Sequence, residues 1–237
     1  MGNKAVSGQT SRVDESRKEG IKDKVKRFLL ILVALTQFCY SQTVTITHAY
    51  YTTTFDTTKR IPKVVKWWLT KKMVNCPKHI KRTNKFTPDP ELPQYTNLNR
   101  DYSGSRYDRG HNMPAEDNAC SSTGMNECFY YSNMCPQTPR LNRGIWKRLE
   151  TETRELARQN DSILVWCGSV IKHGRKIGPD DVAVPDYCWK ILFIKHERDT
   201  LAYVFPNTST VSGTLPQFRV SIDSVEHLSG LKFTVSR

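Results

Sequence analysis

One segment near the middle of the chain, Tyr107-Asp108-Arg109-Gly110-His111-Asn112-Met113-Pro114-Ala115-Glu116-Asp117, places a carboxylate, a guanidinium and an imidazole within four positions. Histidine is the side chain best suited to take a proton near neutral pH. An adjacent arginine can grip a phosphate through two parallel hydrogen bonds. Gly110 permits a tight bend and Pro114 stops a helix, so the segment is expected to be a loop. Alone, an Arg-Gly-His loop is more often a surface histidine with no role.

A second segment, residues 132–150 (SNMCPQTPRLNRGIWKRLE), changes that balance. The pattern predicts a helix over 142–160 with Ile145, Leu149 and Leu156 as its apolar stripe. Asn142 and Glu150 would lie roughly 80° apart around the axis and about 12 Å along it. Both binding one small cation directly is disfavoured by that separation. A single metal on Asn142, with Glu150 holding coordinated water, fits better. The plainer readings are that Asn142 caps the helix and that Glu150 and Arg154, at i and i+4, form a surface ion pair.

The elements around these residues predict an α+β domain. Residues 43–75 (TVTITHAYYTTTF, then KVVKWWLT), SILVWCGSVI, YCWKILFIKH and LAYVFPN read as strands. Residues 77–108 read as a long surface loop, 222–229 as a short helix, and LKFTVSR at the C-terminus as a strand. Strands on both sides of one long helix suggest a central antiparallel sheet. The tryptophans are expected in the scaffold, not as base-stacking platforms.

Residues 1–42 stand apart. A basic stretch ending at Arg27 precedes an uncharged run from Phe28 to Tyr40, shorter than the ~20 residues that span a bilayer. This reads as a secretory signal peptide, giving a secreted or periplasmic protein with no stable membrane insertion after cleavage. The remaining 43–237 would be one domain. It keeps 28 Lys+Arg against 19 Asp+Glu, a net +9, so a polyanionic partner is expected. Six cysteines remain in it, suggesting disulfides, with Cys120–Cys128 the first pair expected. No C-x-x-C pair favours zinc.

The order YDRGHNMPAED, SNMCPQ, LNRGIWKRLE resembles the DNA/RNA non-specific endonuclease family, which has the ββα-metal fold, and KRTNKFTPDP (81–90) matches its upstream arginine segment. The resemblance implies an exported Mg²⁺-dependent endonuclease, Mn²⁺ substituting, that hydrolyses DNA and RNA, with a homodimer allowed. His111 would be the general base and Asn142 the sole direct protein ligand of the metal, on the long metal-site helix. Glu150 would hold the ion's water shell. Arg82, Arg109 and Arg154 would contact phosphates, and Asn133 would support the catalytic group from behind. Asp108 would pin the loop. Asn112-Met113 departs from the usual residues before the proline, which touches only local packing. A single Mg²⁺ with few protein ligands suits phosphodiester hydrolysis, and the chain shows no carboxylate cluster of the two-metal kind. Arginines directed at the backbone favour phosphate over base edges. The competing functions are a catalytically inactive nucleic-acid-binding module of the same fold and a basic polysaccharide-binding protein.

Overall fold

The computed structural model describes residues 43–194 and 199–234. The segment read as a signal peptide lies outside them.

The β-branched N-terminal stretch forms β1 (Thr43–Thr47), β2 (Thr52–Asp56) and β3 (Ile61–Thr70). Strand β3 alternates as a half-buried strand should: Val65, Trp67 and Leu69 are buried, while Lys66 and Trp68 face outward. Trp68 is 43% exposed and so lies outside the scaffold role expected of it. Short helices α1 (Lys71–Val74), α2 (Pro93–Thr96) and α3 (Asn99–Tyr102) follow. Between them the stretch read as a surface loop buries Asp89, Leu92, Thr96, Leu98, Asp101 and Tyr102. Asp89 explains part of this, because His48 and Ser132 both hydrogen-bond its carboxylate.

Strand β4 (Asp108–His111) runs antiparallel to β5 (Met134–Gln137), with Gly110 opposite Cys135 and His111 opposite Met134. Between them lies α4 (Ser122–Glu127). The Asp-Arg-Gly-His segment is therefore a strand, not the loop expected. Gly110 serves close approach instead of a bend, since a Cβ there would lie 2.3 Å from the Gln137 side chain.

The long helix starts earlier than its apolar pattern suggests. Thr138 Oγ1 accepts from Leu141 N (3.3 Å), and the Thr138 carbonyl accepts from Asn142 N (2.9 Å). Asn142 is thus inside the helix and does not cap it. Leu141–Trp146 is a π-helical turn, broken at Gly144 (φ −104°, ψ −112°), which continues as α5 (Lys147–Gln159). Leu149, Thr153 and Ala157, four apart, form the buried stripe, and Leu156 packs at its margin.

The remaining strands are β6 (Ser162–Val170), β7 (Lys176–Ile177), β8 (Val182–Ala183), β9 (Tyr187–Ile194), β10 (Asp199–Pro206) and β11 (Arg219–Val220), followed by α6 (Ile222–Ser229). A seven-stranded antiparallel sheet has the order β1-β2-β3-β6-β9-β10-β11. Strand β6 is buried on both faces. Ile163, Val165 and Cys167 join the core beneath α5 and the β4–β5 ribbon. Leu164, Trp166 and Val170 join the core that holds Val225 of α6. Leu231–Thr234 is irregular, so the expected last strand does not form there; Phe233 N is instead drawn to the Glu226 carboxylate (2.9 Å).

The cysteines correct the pairing expected from spacing. Cys76 is bonded to Cys120, while Cys128, Cys135, Cys167 and Cys188 are buried thiols. Cys128 ends α4 and turns into the core, donating back to the Met125 carbonyl (3.2 Å). Among the described residues no helix is long and apolar enough to cross a membrane.

Candidate active site

Strand β4, strand β5 and the π turn with α5 bring the candidate residues to one place. Trp146 Nε1 donates to the His111 carbonyl (3.3 Å), tying helix to strand. Asp108 performs the pinning expected of it. Its carboxylate receives Arg143 through two bonds (2.8 and 2.6 Å) and Asn142 Nδ2 at 2.9 Å. These bonds overcome the effect of burial and hold the Asp108 carboxyl below its ordinary range. Because the Asn142 nitrogen is spent on Asp108, the amide oxygen is the end left for a ligand.

His111 is only 7% exposed. Its ring lies edge-on to Phe129 (centroids 5.0 Å apart) and tilted against Phe86 (5.7 Å). Burial, reinforced by the charge of Arg82, pushes its pKa from 6.5 down to about 3, opposed by a hydrogen bond to the Arg109 backbone. The imidazole is therefore neutral at physiological pH. Nε2 is buried without a hydrogen-bond partner among the described residues, so with the ring proton on Nδ1, toward the Arg109 backbone, Nε2 is unprotonated. That tautomer presents a free lone pair on Nε2.

Two arginines flank this ring on aromatic supports. Arg82 lies 5.0 Å over Phe129 and bonds Asn84 and Glu116 (2.7 and 3.3 Å). Arg109 lies over Phe86 and Tyr102 (5.1 and 5.5 Å) and donates to the Tyr131 hydroxyl (2.8 Å) and Asn99 (3.3 Å). Phe86, Phe129 and Tyr131 were not legible as site residues, because they act by holding the arginines and the imidazole in place. Asn133 spends its whole amide on main chain. Nδ2 donates to Met113 and Cys128 carbonyls (2.9 and 2.8 Å), and Oδ1 accepts from Met113 N (2.9 Å). It thus fixes the chain just after His111.

Arg154 pairs not with Glu150 but with Asp117 (3.3 Å), whose other oxygen accepts from Trp67 Nε1 (3.1 Å). Buried Asp117 offers a fixed, desolvated partner, which the i,i+4 neighbour does not. Glu150 is left partly buried and without that pair. Burial, together with Asp117 and Glu116, pushes its pKa from 4.5 up to about 7, against the pull of Lys190 and Arg154. Lys190 is buried behind the site, 4.6 Å from the Trp146 ring and 5.5 Å from that of Trp67.

Among the described residues no three His, Cys, Asp or Glu side chains converge on a metal. The oriented Asn142 oxygen and the Glu150 carboxyl are hard oxygen donors, few in number. They suit a cation that keeps most of its own water, as Mg²⁺ does.

A two-stranded ribbon crossed by a helix, with histidine on the strand and asparagine on the helix, is the ββα-metal arrangement. The chain belongs to the DNA/RNA non-specific endonuclease family, whose profile matches residues 35–236. It is 33% identical over 220 residues to mouse "Nuclease EXOG, mitochondrial", covering 84% of this chain and 60% of that protein. It is 34% identical over 166 residues to human "Endonuclease G, mitochondrial", covering 62% and 55% respectively. A crystal structure of an EndoG/EndoGI complex matches with a TM-score of 0.74 at 28% identity, covering 80% of this chain and 84% of that one. The chain spans less than two thirds of the length of these curated relatives. Their mitochondrial names overturn the secreted or periplasmic location expected from the N-terminal segment.

Proposed function

We propose that this protein is a divalent-metal-dependent endonuclease that hydrolyses phosphodiester bonds in DNA and RNA without base preference. The observation that carries the reading is the neutral, buried His111 with an unpartnered Nε2, set between two arginines. Nε2 accepts a proton from water as its oxygen attacks phosphorus; the new P–O bond forms as the bond to the 3′ oxygen breaks. Arg82 and Arg109 offset the charge gathering on the phosphate oxygens, and their aromatic supports keep them from swinging away. Arg154, already bound to Asp117, serves from the edge of the site.

Asn142 Oδ1 would be the direct protein ligand for Mg²⁺ or Mn²⁺, and the Glu150 carboxyl would face the ion's water. The ion, when bound, supplies stabilisation of the non-bridging and leaving oxygens. Since the charge here meets phosphate, which DNA and RNA share, both polymers are expected substrates, without base preference. The relatives' names support a mitochondrial setting for this activity.

The test is plasmid nicking and RNA cleavage by the purified chain with Mg²⁺, and with EDTA. Cleavage of both polymers, abolished by EDTA, is expected. Duplex binding without cleavage at any Mg²⁺ or Mn²⁺ concentration would establish the inactive binding module instead.

A further inference from the structure

A groove of about 330 Å³ opens beside the π turn, lined by Arg140, Arg143 and Arg148, by Gly144, and by Val211 to Gly213. No carboxylate lines it, although three guanidinium groups do. Like charges so gathered repel one another, and a concave basic surface focuses that field on a polyanion. The crowding follows from the helix geometry. On an α-helix, residues five apart point about 140° apart. The non-helical backbone at Gly144, between Arg143 and Arg148, breaks that regular spacing, and both side chains line one groove.

The three arginines are differently employed. Arg143 is committed to Asp108 and so joins the groove to the Asn142 site. Arg140 spends only Nε, on the Val211 carbonyl (3.1 Å). Arg148 makes no hydrogen bond or ion pair among the described residues. The floor is bare at Gly144, where a Cβ would meet nothing within 4 Å, so a bulky ligand can approach the main chain.

We propose that this groove binds the sugar–phosphate backbone of the substrate strand at phosphates flanking the one cleaved, with Arg140 and Arg148 as its contacts. The proposal rests on the nuclease reading and adds to it a second phosphate track, joined through Asp108 to Asn142.

The experiment compares His111→Ala with His111→Ala/Arg140→Ala/Arg148→Ala in duplex binding across a salt series in Ca²⁺, after melting curves confirm both are folded. Each lost phosphate contact lowers the slope of log K against log salt by about 0.9, so a fall of nearly two units is expected. Arg140→Lys/Arg148→Lys in the same background should retain the slope, because a point charge releases the same counterion. In the His111 enzyme, Arg140→Ala/Arg148→Ala should lower kcat/KM on long duplexes but leave hydrolysis of a single-phosphodiester substrate within about twofold, since that substrate has no flanking phosphate. An unchanged slope would overturn the proposal, as would an equal loss on the single-phosphodiester substrate. Loss of binding to phosphatidylglycerol vesicles with the duplex slope intact would overturn it in favour of a membrane surface. If the slope falls as expected but the parent protein cleaves nothing with Mg²⁺, the groove stands and the catalytic reading fails.

Discussion

Replacing Glu150 by glutamine should stabilise the metal-free protein at high pH while removing function. The Glu150 carboxyl titrates near 4.5 when unfolded and near 7 in the folded chain, where burial and the neighbouring Asp117 and Glu116 resist its charge. Between these values the folded state holds a proton that the unfolded state has lost, so stability falls as pH rises through that window. At about 1.4 kcal/mol per pH unit, the full loss approaches about 3 kcal/mol by pH 8. Glutamine keeps the shape and does not titrate. Urea denaturation in EDTA at pH 4.5 and pH 8 measures the effect. Glu150→Gln minus parent should grow by about 3 kcal/mol from the first pH to the second, other titrations cancelling in the difference. With Mg²⁺ present the same variant should lose most of its nuclease turnover. A difference independent of pH, or one that shrinks as pH rises, would show that Glu150 is comfortably ionised in the fold, and the strained carboxylate described here would be wrong.

His111→Ala should lower kcat by ~10²–10⁴-fold with duplex binding retained, and a variant keeping a third of parental activity would exclude His111 as the base. Asn142→Ala should raise the Mg²⁺ concentration giving half-maximal activity, with partial recovery at tens of millimolar; an unchanged Mg²⁺ dependence would move the cation elsewhere. Reducing the bond between Cys76 and Cys120, 44 residues apart, should cost up to about 4 kcal/mol in the chain-entropy account. It should also loosen the stretch held by Ile80 N to the Ala119 carbonyl, which leads to Arg82. Denaturation with and without reductant reads the first effect and amide exchange around Ile80 the second.

Much of this molecule was legible from local signals. Period-2 patterning gave β3, and apolar runs gave β6 and β9. The chemical residues declared themselves through type and order: His111, Asn142 and Glu150 do lie around one ribbon and one helix. What escaped depends on contacts distant in sequence. Cys120 bonds a residue far upstream instead of Cys128 nearby. Arg154 chooses buried Asp117 over Glu150 one turn away. The aromatic supports Phe86 and Phe129 carry no chemistry that a linear reading could pick out. Gly110 looks like a bend to any local rule, because only the approach of Gln137 shows why a side chain is excluded. The early start of the long helix was hidden for another reason: Thr138 caps a stretch that contains a proline and two arginines and lacks the apolar rhythm.

The π turn has a consequence for how this helix can vary. Its Leu149, Thr153 and Ala157 end must keep step with the sheet, and its Asn142 end must keep step with Asp108 on β4. A uniform α-helix would lock those two phases together, so that any repacking of the core would rotate the ligand. The break at Gly144 between them works like a slipped gear tooth: each end is indexed to its own partner. Restoring a regular helix by deleting Gly144 would remove no side chain but turn Asn142 away from Asp108 by roughly a quarter of a circle or more.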